Sequence, residues 1–211
     1  MKFFRRSEDS PAGASRAVAR TSRRSSGLQE LNHLITTHET LTLLDLGPTS
    51  APNINYLTGL EHKLYSEDVL AASAEPDYKT TAPDGSPAFQ LEKFFAENLV
   101  FGKTKFDAVL CWDVADFLPE PLVKPTVERL HSILKPGGMV LGFFHTRDAG
   151  PNVPYSRYHI VGNDTLDVQP VPRFGLQRVF NNRQIENLFQ SFKSLKFFLA
   201  RDYIREVLVV K

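Results

Sequence analysis

Three apolar runs of strand length, separated by stretches with helical spacing of apolar residues, constrain this fold more than any other feature. The runs are residues 41–46, 106–112 and 139–144. Runs this apolar are typical of strands covered on both faces, as in parallel sheets. Apolar residues recur at helical spacing in residues 28–38, 91–99 and 127–134. Pro125 is the expected start of the last of these helices.

The C-terminal part has a different order of elements. Residues 195–200 and 203–210 are two strand-like runs joined by a tight turn, so they must pair antiparallel. A helix from Asn181 or Asn182 to Phe192 is expected before them. Together the patterns predict an α/β fold, a doubly wound and mostly parallel sheet with helices on both faces and a C-terminal antiparallel hairpin.

The chain length of 211 residues favours one domain. Residues 1–27 contain seven Lys or Arg residues and two acidic ones, with Ser, Ala and Gly between them. We expect a basic, disordered N-terminal arm there and a single domain over residues 28–211. Residues 74–88 are rich in turn formers and are expected to be loop, and 146–180 are expected to be an inserted loop or hairpin.

Charge, hydropathy and cysteine content exclude several classes of function. The net charge is +1 and the basic residues concentrate in the arm, so no nucleic-acid partner is expected. No apolar run approaches the roughly 18 residues that a membrane-spanning helix needs. The lone Cys111 forms no internal disulfide, which fits a reducing compartment and predicts a cytoplasmic location. The histidines lack ligand spacing, so no metal site is expected.

The expected ligand site lies where strands end. Doubly wound sheets bind ligands beyond the carboxyl ends of their strands, which selects Asp45–Ser50, Glu67-Asp68 and Trp112–Phe117. The first of these loops has one glycine and two prolines over residues 47–52 instead of G-x-G-x-x-G, so it cannot cradle a phosphate well. Asp68 follows Asp45 by 23 residues, close to the spacing of an acid that binds ribose. These features favour a nucleoside without phosphate, although Glu67 and Asp68 are equally suited to capping a helix.

The ordered set of motifs resembles the Rossmann-like (class I) S-adenosylmethionine-dependent methyltransferases. The motifs are Leu43-Leu44-Asp45-Leu46-Gly47, Tyr65-Ser66-Glu67-Asp68, Ala96-Glu97-Asn98-Leu99, Phe106-Asp107-Ala108-Val109-Leu110-Cys111 and Leu134-Lys135-Pro136-Gly137-Gly138. The resemblance covers roughly residues 28–145, and the final helix and hairpin resemble the closing elements of the family. It implies S-adenosylmethionine as cofactor and methyl transfer to an unidentified small-molecule or peptidyl acceptor.

The resemblance also implies roles for individual residues. The cofactor-binding residues that it implies are Asp45, Gly47, Pro48, Thr49, Glu67, Asp68, Glu97, Asn98, Cys111 and Trp112. In this assignment Asp45 and Gly47 lie beside the methionine part, Glu67 or Asp68 binds the ribose, and Glu97 and Asn98 lie near the adenine. Cys111, Trp112 and Asp113 line the methionine side and the mouth of the acceptor pocket.

Two positions depart from the family pattern. Pro48, Thr49 and Ser50 stand where the family has further glycines, which would narrow the cofactor cleft. Phe95 stands where an acid commonly faces the adenine amino group. These departures leave open a different class of protein, a catalytically inactive methyltransferase-like module that binds a ligand or partner. A nicotinamide-dependent oxidoreductase is disfavoured by the missing glycines.

Methyl transfer requires mainly alignment of donor and acceptor, with a base only where the acceptor must lose a proton. Asp113 and His145 follow predicted strands and are the candidate catalytic residues. Tyr155, Tyr158 and His159 lie in the insertion and are the candidate substrate residues, with the insertion acting as a lid. Packing of an ordinary insertion is the alternative role of these three side chains.

Overall fold

The computed structural model describes residues 20–199 and 202–211. Its strands are β1 (Thr21–Arg24), β2 (Thr42–Asp45), β3 (Lys63–Ser66), β4 (Lys79–Thr81), β5 (Pro87–Phe89), β6 (Phe106–Trp112), β7 (Leu134–His145), β8 (Pro154–Ile160), β9 (Thr165–Gly175), β10 (Ser194–Leu199) and β11 (Ile204–Val210). Its α-helices are α1 (Ser26–Thr37), α2 (Ala51–Gly59), α3 (Val69–Ser73), α4 (Leu91–Glu97), α5 (Val114–Phe117), α6 (Glu120–Ile133) and α7 (Asn182–Leu188).

The central sheet has six strands in the order β10-β11-β7-β6-β2-β3. Strands β3, β2, β6 and β7 are mutually parallel, and β11 pairs antiparallel with both β7 and β10. The predicted fold class, including the C-terminal antiparallel hairpin, is confirmed. From β2 the chain passes outward to β3 and later returns to β6 on the other side. The strand order therefore reverses between β2 and β6, which is where such sheets bind ligands.

Helices cover both faces of this sheet because successive strand residues point to opposite sides. On one face Leu43 packs with Leu28 of α1 and Leu57 of α2. On the other, Leu44 belongs to the cluster that includes Leu122 of α6 and Ile185 of α7. The buried apolar runs of the sequence thus form the middle layer of a three-layer α/β domain.

A second, three-stranded sheet has the order β1-β9-β8. Strands β8 and β9 form an antiparallel hairpin within the predicted insertion, and β1 pairs antiparallel with β9. We call β8 and β9 the insertion hairpin. It packs over the carboxyl ends of the central strands, on the face that carries α2.

Residues 21–27 differ from the expected disordered arm. Arg23 donates to buried Glu206 of β11 at 2.7 Å, and the same carboxylate accepts from Ser25 Oγ at 2.9 Å and from the Gly27 amide at 2.6 Å. A carboxylate with this many charge-assisted and backbone bonds holds the segment onto the sheet. The remaining prediction for the arm, over residues 1–19, lies outside the described residues.

Three boundaries also differ from expectation. The expected loop over residues 74–88 contains a 3₁₀ turn and the short β4–β5 hairpin. Helix α6 begins at Glu120, and Pro121 occupies its first turn, where a proline ring is tolerated. Pro125 therefore lies inside the helix and does not begin it. Helix α7 ends at Leu188 rather than continuing to Phe192.

Over residues 20–199 and 202–211, no helix has the length and apolar character to span a bilayer.

Candidate functional site

Asp45 lies at the carboxyl end of β2, at the reversal of strand order, and is 2% exposed. Its Oδ1 accepts from the Gly47 amide at 3.0 Å and from Trp112 Nε1 at 2.7 Å, and its Oδ2 accepts from Asn53 Nδ2 at 2.8 Å. Burial raises the pKa of Asp45 to about 6, although these hydrogen bonds favour the charged form, and the charge of Asp68 raises it further. The carboxylate is therefore close to titration near neutrality.

Trp112 ends β6 and occupies the space directly above Gly47. A Cβ atom placed on Gly47 would lie 2.9 Å from the indole Cδ1, so no larger residue fits there unless the indole moves. The backbone of Trp112 has a φ of 48°, a conformation that costs about 1–3 kcal/mol for a residue with a side chain. Its indole stacks on Tyr158 of the insertion hairpin at 5.2 Å and 13°. Trp112 therefore narrows this cleft above Gly47, whereas the sequence analysis expected a narrowing from the loop.

The remaining residues of the first loop differ in exposure. Pro48 is buried, Thr49 is exposed, and buried Ser50 caps α2 by accepting from the Asn53 amide at 3.2 Å. Thr49 is therefore the residue of this loop that faces solvent.

The two acids after β3 have different partners. Glu67 accepts from the Leu99 amide at 2.6 Å, and burial is the main reason that its pKa is raised. Asp68 caps α3 by accepting from the Ala71 amide at 2.9 Å through Oδ1. Capping is thus one role of Asp68. Its half-buried carboxylate is also near enough to Asp45 for its charge to raise the pKa of Asp45.

Glu97 and Asn98 form a group around Tyr78. The hydroxyl of Tyr78 donates to Glu97 at 2.8 Å and accepts from Asn98 Nδ2 at 2.9 Å. These hydrogen bonds hold the end of α4 against the 3₁₀ turn that contains Tyr78. They do not join the two residues to Asp45 or Asp68.

Cys111 is buried among apolar side chains on the sheet face opposite to Trp112. Burial raises the pKa of its thiol to about 12, with a further contribution from the charges of Asp113 and Asp116. The thiol is therefore protonated and packed in the core, instead of lining the cleft above Gly47.

Asp113 follows Trp112 and is fully buried. Its Oδ2 accepts from the Tyr158 hydroxyl at 3.0 Å, whereas its Oδ1 has no hydrogen-bond partner among the described residues. Burial raises the pKa of Asp113 to about 7, opposed by the charge of His145 and reinforced by Asp116. Asp113 is thus a buried acid with one free oxygen and a protonation state that changes near neutrality.

His145 ends β7 and pairs with Asp116, which the sequence analysis included in the range Trp112–Phe117 without giving it a role. Asp116 Oδ2 accepts from the backbone amide of His145 at 2.6 Å and lies 3.0 Å from its Nδ1. Burial alone would lower the pKa of His145, but the Asp116 hydrogen bond and the charge of Asp113 raise it. The spacing Asp113-x-x-Asp116 directly after a buried strand was the available signal for this pair.

The insertion hairpin brings two tyrosines to this acidic group. Tyr155 is fully buried, its ring packs on Phe117 at 5.2 Å, and its hydroxyl has no partner within the described part of the chain. Tyr158 stacks on Trp112 and donates to Asp113. His159 points elsewhere, to Ser50 Oγ at 2.8 Å and Gln169 Oε1 at 3.2 Å. Burial is the largest reason that its pKa is lowered, so the neutral ring holds the hairpin against α2.

The structure therefore joins about half of the predicted site residues into one cluster at the carboxyl ends of β2, β6 and β7. Its members are Asp45, Gly47, Trp112, Asp113, His145, Tyr155 and Tyr158. Asn53 and Asp116 complete it; Asn53 was missed, and Asp116 was selected only as part of the range Trp112–Phe117. No group of three or more potential metal ligands occurs in residues 20–199 and 202–211.

Comparisons with known proteins relate part of the chain to a known family and its fold to solved structures. Residues 44–142 match the family model described as a methyltransferase domain. The structure is similar to an S-adenosylmethionine-dependent methyltransferase from Clostridium acetobutylicum ATCC 824, with a TM-score of 0.50, 12% identity, and coverage of 87% of this chain and 89% of that one. At that identity the likeness shows the fold.

A second similar structure is the 1,6-didemethyltoxoflavin-N1-methyltransferase of Burkholderia thailandensis, with a TM-score of 0.48, 12% identity, and coverage of 89% of this chain and 79% of that one. No sequence among the curated proteins matches the chain. Residues 44–142 thus match a methyltransferase domain, and the chain has the Rossmann-like fold of the class I S-adenosylmethionine-dependent methyltransferases.

Proposed function

We propose that this chain binds S-adenosylmethionine and transfers its methyl group to a small-molecule or peptidyl acceptor. The observation that carries the proposal is the position of Asp45, a buried carboxylate at the reversal of strand order in a methyltransferase domain. The adjoining loop lacks a phosphate cradle, which suits an adenosyl ligand better than a dinucleotide.

The residues present fit such a ligand in their chemistry. Asp113 Oδ1 and the Tyr155 hydroxyl are buried without a partner in the described residues, so the site retains unused hydrogen-bonding capacity. Buried polar atoms without a partner are rare and call for an explanation, and a ligand is one. Asp45, Asp68 and Asp113 also give the site acidic character, which suits a cationic sulfonium.

The fit in space depends on Trp112. Its indole fills the volume above Gly47 and uses one oxygen of Asp45, so an adenosyl ligand at Asp45 requires the indole to leave. We therefore assign the described conformation to a closed state, in which the stack of Trp112 on Tyr158 covers the site. Asp45 and Asp68 would hold the ligand in the open state.

The protein's own contribution to the chemistry would be alignment and a proton acceptor. When bound, S-adenosylmethionine supplies an electrophilic methyl group. Asp113 holds a free buried oxygen and has a pKa of about 7, so it can accept a proton from an acceptor at physiological pH. His145, held by Asp116, places a positive charge nearby that stabilises the Asp113 carboxylate.

A specific observation favours a second candidate, a module of this fold that does not transfer methyl groups. Three donors from the protein already bind Asp45, and one of them is the indole that fills the cleft. In this alternative the aromatic stack is a permanent part of the core, and the chain acts through its surface.

Titration of the purified protein with S-adenosylmethionine, S-adenosylhomocysteine and NAD distinguishes the two candidates. The chain has one tryptophan, so its fluorescence reports on Trp112 alone while calorimetry records binding. We expect heat and a fluorescence change with both adenosyl ligands and neither with NAD. Absence of both signals with the adenosyl ligands would overturn the proposal. Binding without turnover across a panel of acceptors would favour the second candidate.

Asp68→Ala provides the site-specific test of the same proposal. The loss of a hydrogen bond to the ribose should weaken adenosyl binding by about 1–3 kcal/mol. Asp84→Ala is the matched control, because Asp84 is exposed in the turn between β4 and β5. An equal effect of both substitutions would remove Asp68 from the site.

A further inference from the structure

Asn53, in the first turn of α2, is 1% exposed and connects Asp45 to the insertion hairpin. Its Nδ2 donates to Asp45 Oδ2 at 2.8 Å and to the Tyr158 carbonyl at 3.0 Å. Its Oδ1 accepts from the Ile160 amide at 2.7 Å. A single side chain therefore contacts both the acid of the first loop and the backbone of β8.

The contact with β8 uses the polar groups of a strand edge. Among the described residues, strand β8 is at the edge of its sheet, so one side of its backbone has no neighbouring strand there. The carbonyl of Tyr158 and the amide of Ile160 flank one residue and are the pair that a parallel neighbour would bind. The Asn53 amide offers one donor and one acceptor in the same arrangement, so it replaces a strand partner at that point.

The remaining hydrogen of Asn53 Nδ2 extends this contact to Asp45 and closes a ring of contacts. Asp45 binds Asn53 through Oδ2 and Trp112 through Oδ1. Trp112 stacks on the ring of Tyr158, whose carbonyl binds Asn53. Any change at the Asp45 carboxylate therefore reaches β8 by two routes, one through an aromatic stack and one through Asn53.

We propose that Asn53 is a positioning residue that couples the state of the Asp45 carboxylate to the seating of the insertion hairpin, which carries Tyr155 and Tyr158. Coupling between two sites is reciprocal, so a ligand that binds Asp45 changes how firmly β8 is held, and a loosened β8 changes the affinity at Asp45. The ligand part of this inference rests on the proposed function, and the coupling itself does not.

The test is a double-mutant cycle between positions 45 and 53, with hydrogen exchange of the Ile160 amide as readout. In the wild-type background, Asp45→Asn weakens the bond from Asn53, and exchange at Ile160 should become faster by about fivefold, the equivalent of one ordinary hydrogen bond. Asn53→Asp still accepts from Ile160 but places a carboxylate against Asp45. In that background Asp45→Asn restores a donor–acceptor pair, so exchange at Ile160 should become slower.

This reversal of sign supports the coupling, because a residue that only fills space would give the same effect of Asp45→Asn in both backgrounds. Equal effects in both backgrounds, or none in either, would overturn the proposal. Thr58→Ala, on the exposed side of α2, controls for a general loosening of the helix. All of these variants are polar or surface substitutions, and near-ultraviolet circular dichroism verifies that each is folded.

A second readout follows the titration of Asp45 through Trp112 fluorescence. The Asn53 hydrogen bond favours the charged form of Asp45, against burial and the Asp68 charge, so Asn53→Leu should raise the midpoint above that of the wild type. An unchanged midpoint would contradict the link. Addition of S-adenosylhomocysteine to the wild type separates the two proposals. No binding would overturn the proposed function while leaving the sign reversal intact.

Discussion

Trp112 Nε1 donates a 2.7 Å hydrogen bond to Asp45 Oδ1, and this bond joins the ends of the two strands between which the sheet order reverses. The Trp112 side chain is nearly fully buried. The backbone of Trp112 has a left-handed conformation, which directs the indole to that position. A strained residue is retained only where its surroundings enforce it, and such residues concentrate at functional sites. The bond therefore fixes the indole over the cleft.

Trp112→Phe should show how much that hydrogen bond contributes to the free energy of unfolding. The phenyl ring keeps most of the stacking on Tyr158 but cannot donate to the carboxylate. Hydrogen bonds to charged groups contribute roughly 1.5–3 kcal/mol, so we expect a loss of that size in the free energy of unfolding by urea at pH 8. The loss should be smaller at pH 4.5, where Asp45 is mostly protonated in the fold. A pH-independent loss would contradict the assignment.

The raised carboxyl pKa values of the site, among them those of Asp45 and Asp113, should make the protein less stable as the pH rises. Asp113 has a pKa of about 7 in the fold against a usual 3.8, so its contribution is fully present below pH 3.8 and is lost as the pH rises through about 7. The pKa of His145 is raised above 6.5, which acts in the same direction at higher pH. Asp113→Asn should flatten the pH dependence of stability between pH 4 and 7, as measured by urea unfolding at each pH. A slope equal to that of the wild type would show that other groups cause it.

Glu206 should be among the most sensitive charged residues outside the site. Glu206→Ala removes the buried one of two carboxylate partners of Arg23, whose side chain is 8% exposed, together with the acceptor of the Gly27 amide. Removing one partner of a buried ion pair costs about 3–5 kcal/mol, and we expect a loss near the lower end because Arg23 keeps its pair with the more exposed Asp202. Glu128→Ala is the control, since its pair with Lys124 is exposed and should contribute about 0–1 kcal/mol. Similar losses for both variants would disprove the role of Glu206 in holding residues 21–27.

Cys111 should be unreactive in the native protein. Its thiol is 5% exposed and has a pKa of about 12, and thiol reagents attack the thiolate. We expect labelling by a disulfide reagent only as fast as the strand opens, and full labelling in denaturant. Rapid labelling under native conditions would show that β6 is accessible from the cleft.

Much of the fold could be predicted from the sequence because its signals are local. The apolar runs of β2, β6 and β7 and the turn before β11 each identify an element within a few residues. Pro125 led to a wrong start for α6, because a proline marks the start of a helix only when it lies in the first turn. In α6 the proline of the first turn is Pro121. The pairing of Thr21–Arg24 with β9 joins residues more than a hundred positions apart, and no local pattern indicates it.

The site could be predicted in part for the same reason. Asp45, Asp113 and His145 were found because strand ends mark the site in this class of fold. Asn53 was missed because an asparagine in the first turn of a helix has no distinctive pattern, and its role depends on β8, which lies far away in the sequence. The direction of the Trp112 side chain was equally inaccessible, since it depends on one unusual backbone angle.

The strand β1 adds a kinetic constraint to movement of the insertion hairpin. Because β1 pairs with β9, the hairpin cannot swing away from α2 unless β1 moves with it or separates from it. Movement of β1 in turn strains the pair of Arg23 with Glu206 on the central sheet. In the opening that we propose, the contact of Arg23 with Glu206 on the central sheet should therefore slow the movement of the insertion hairpin.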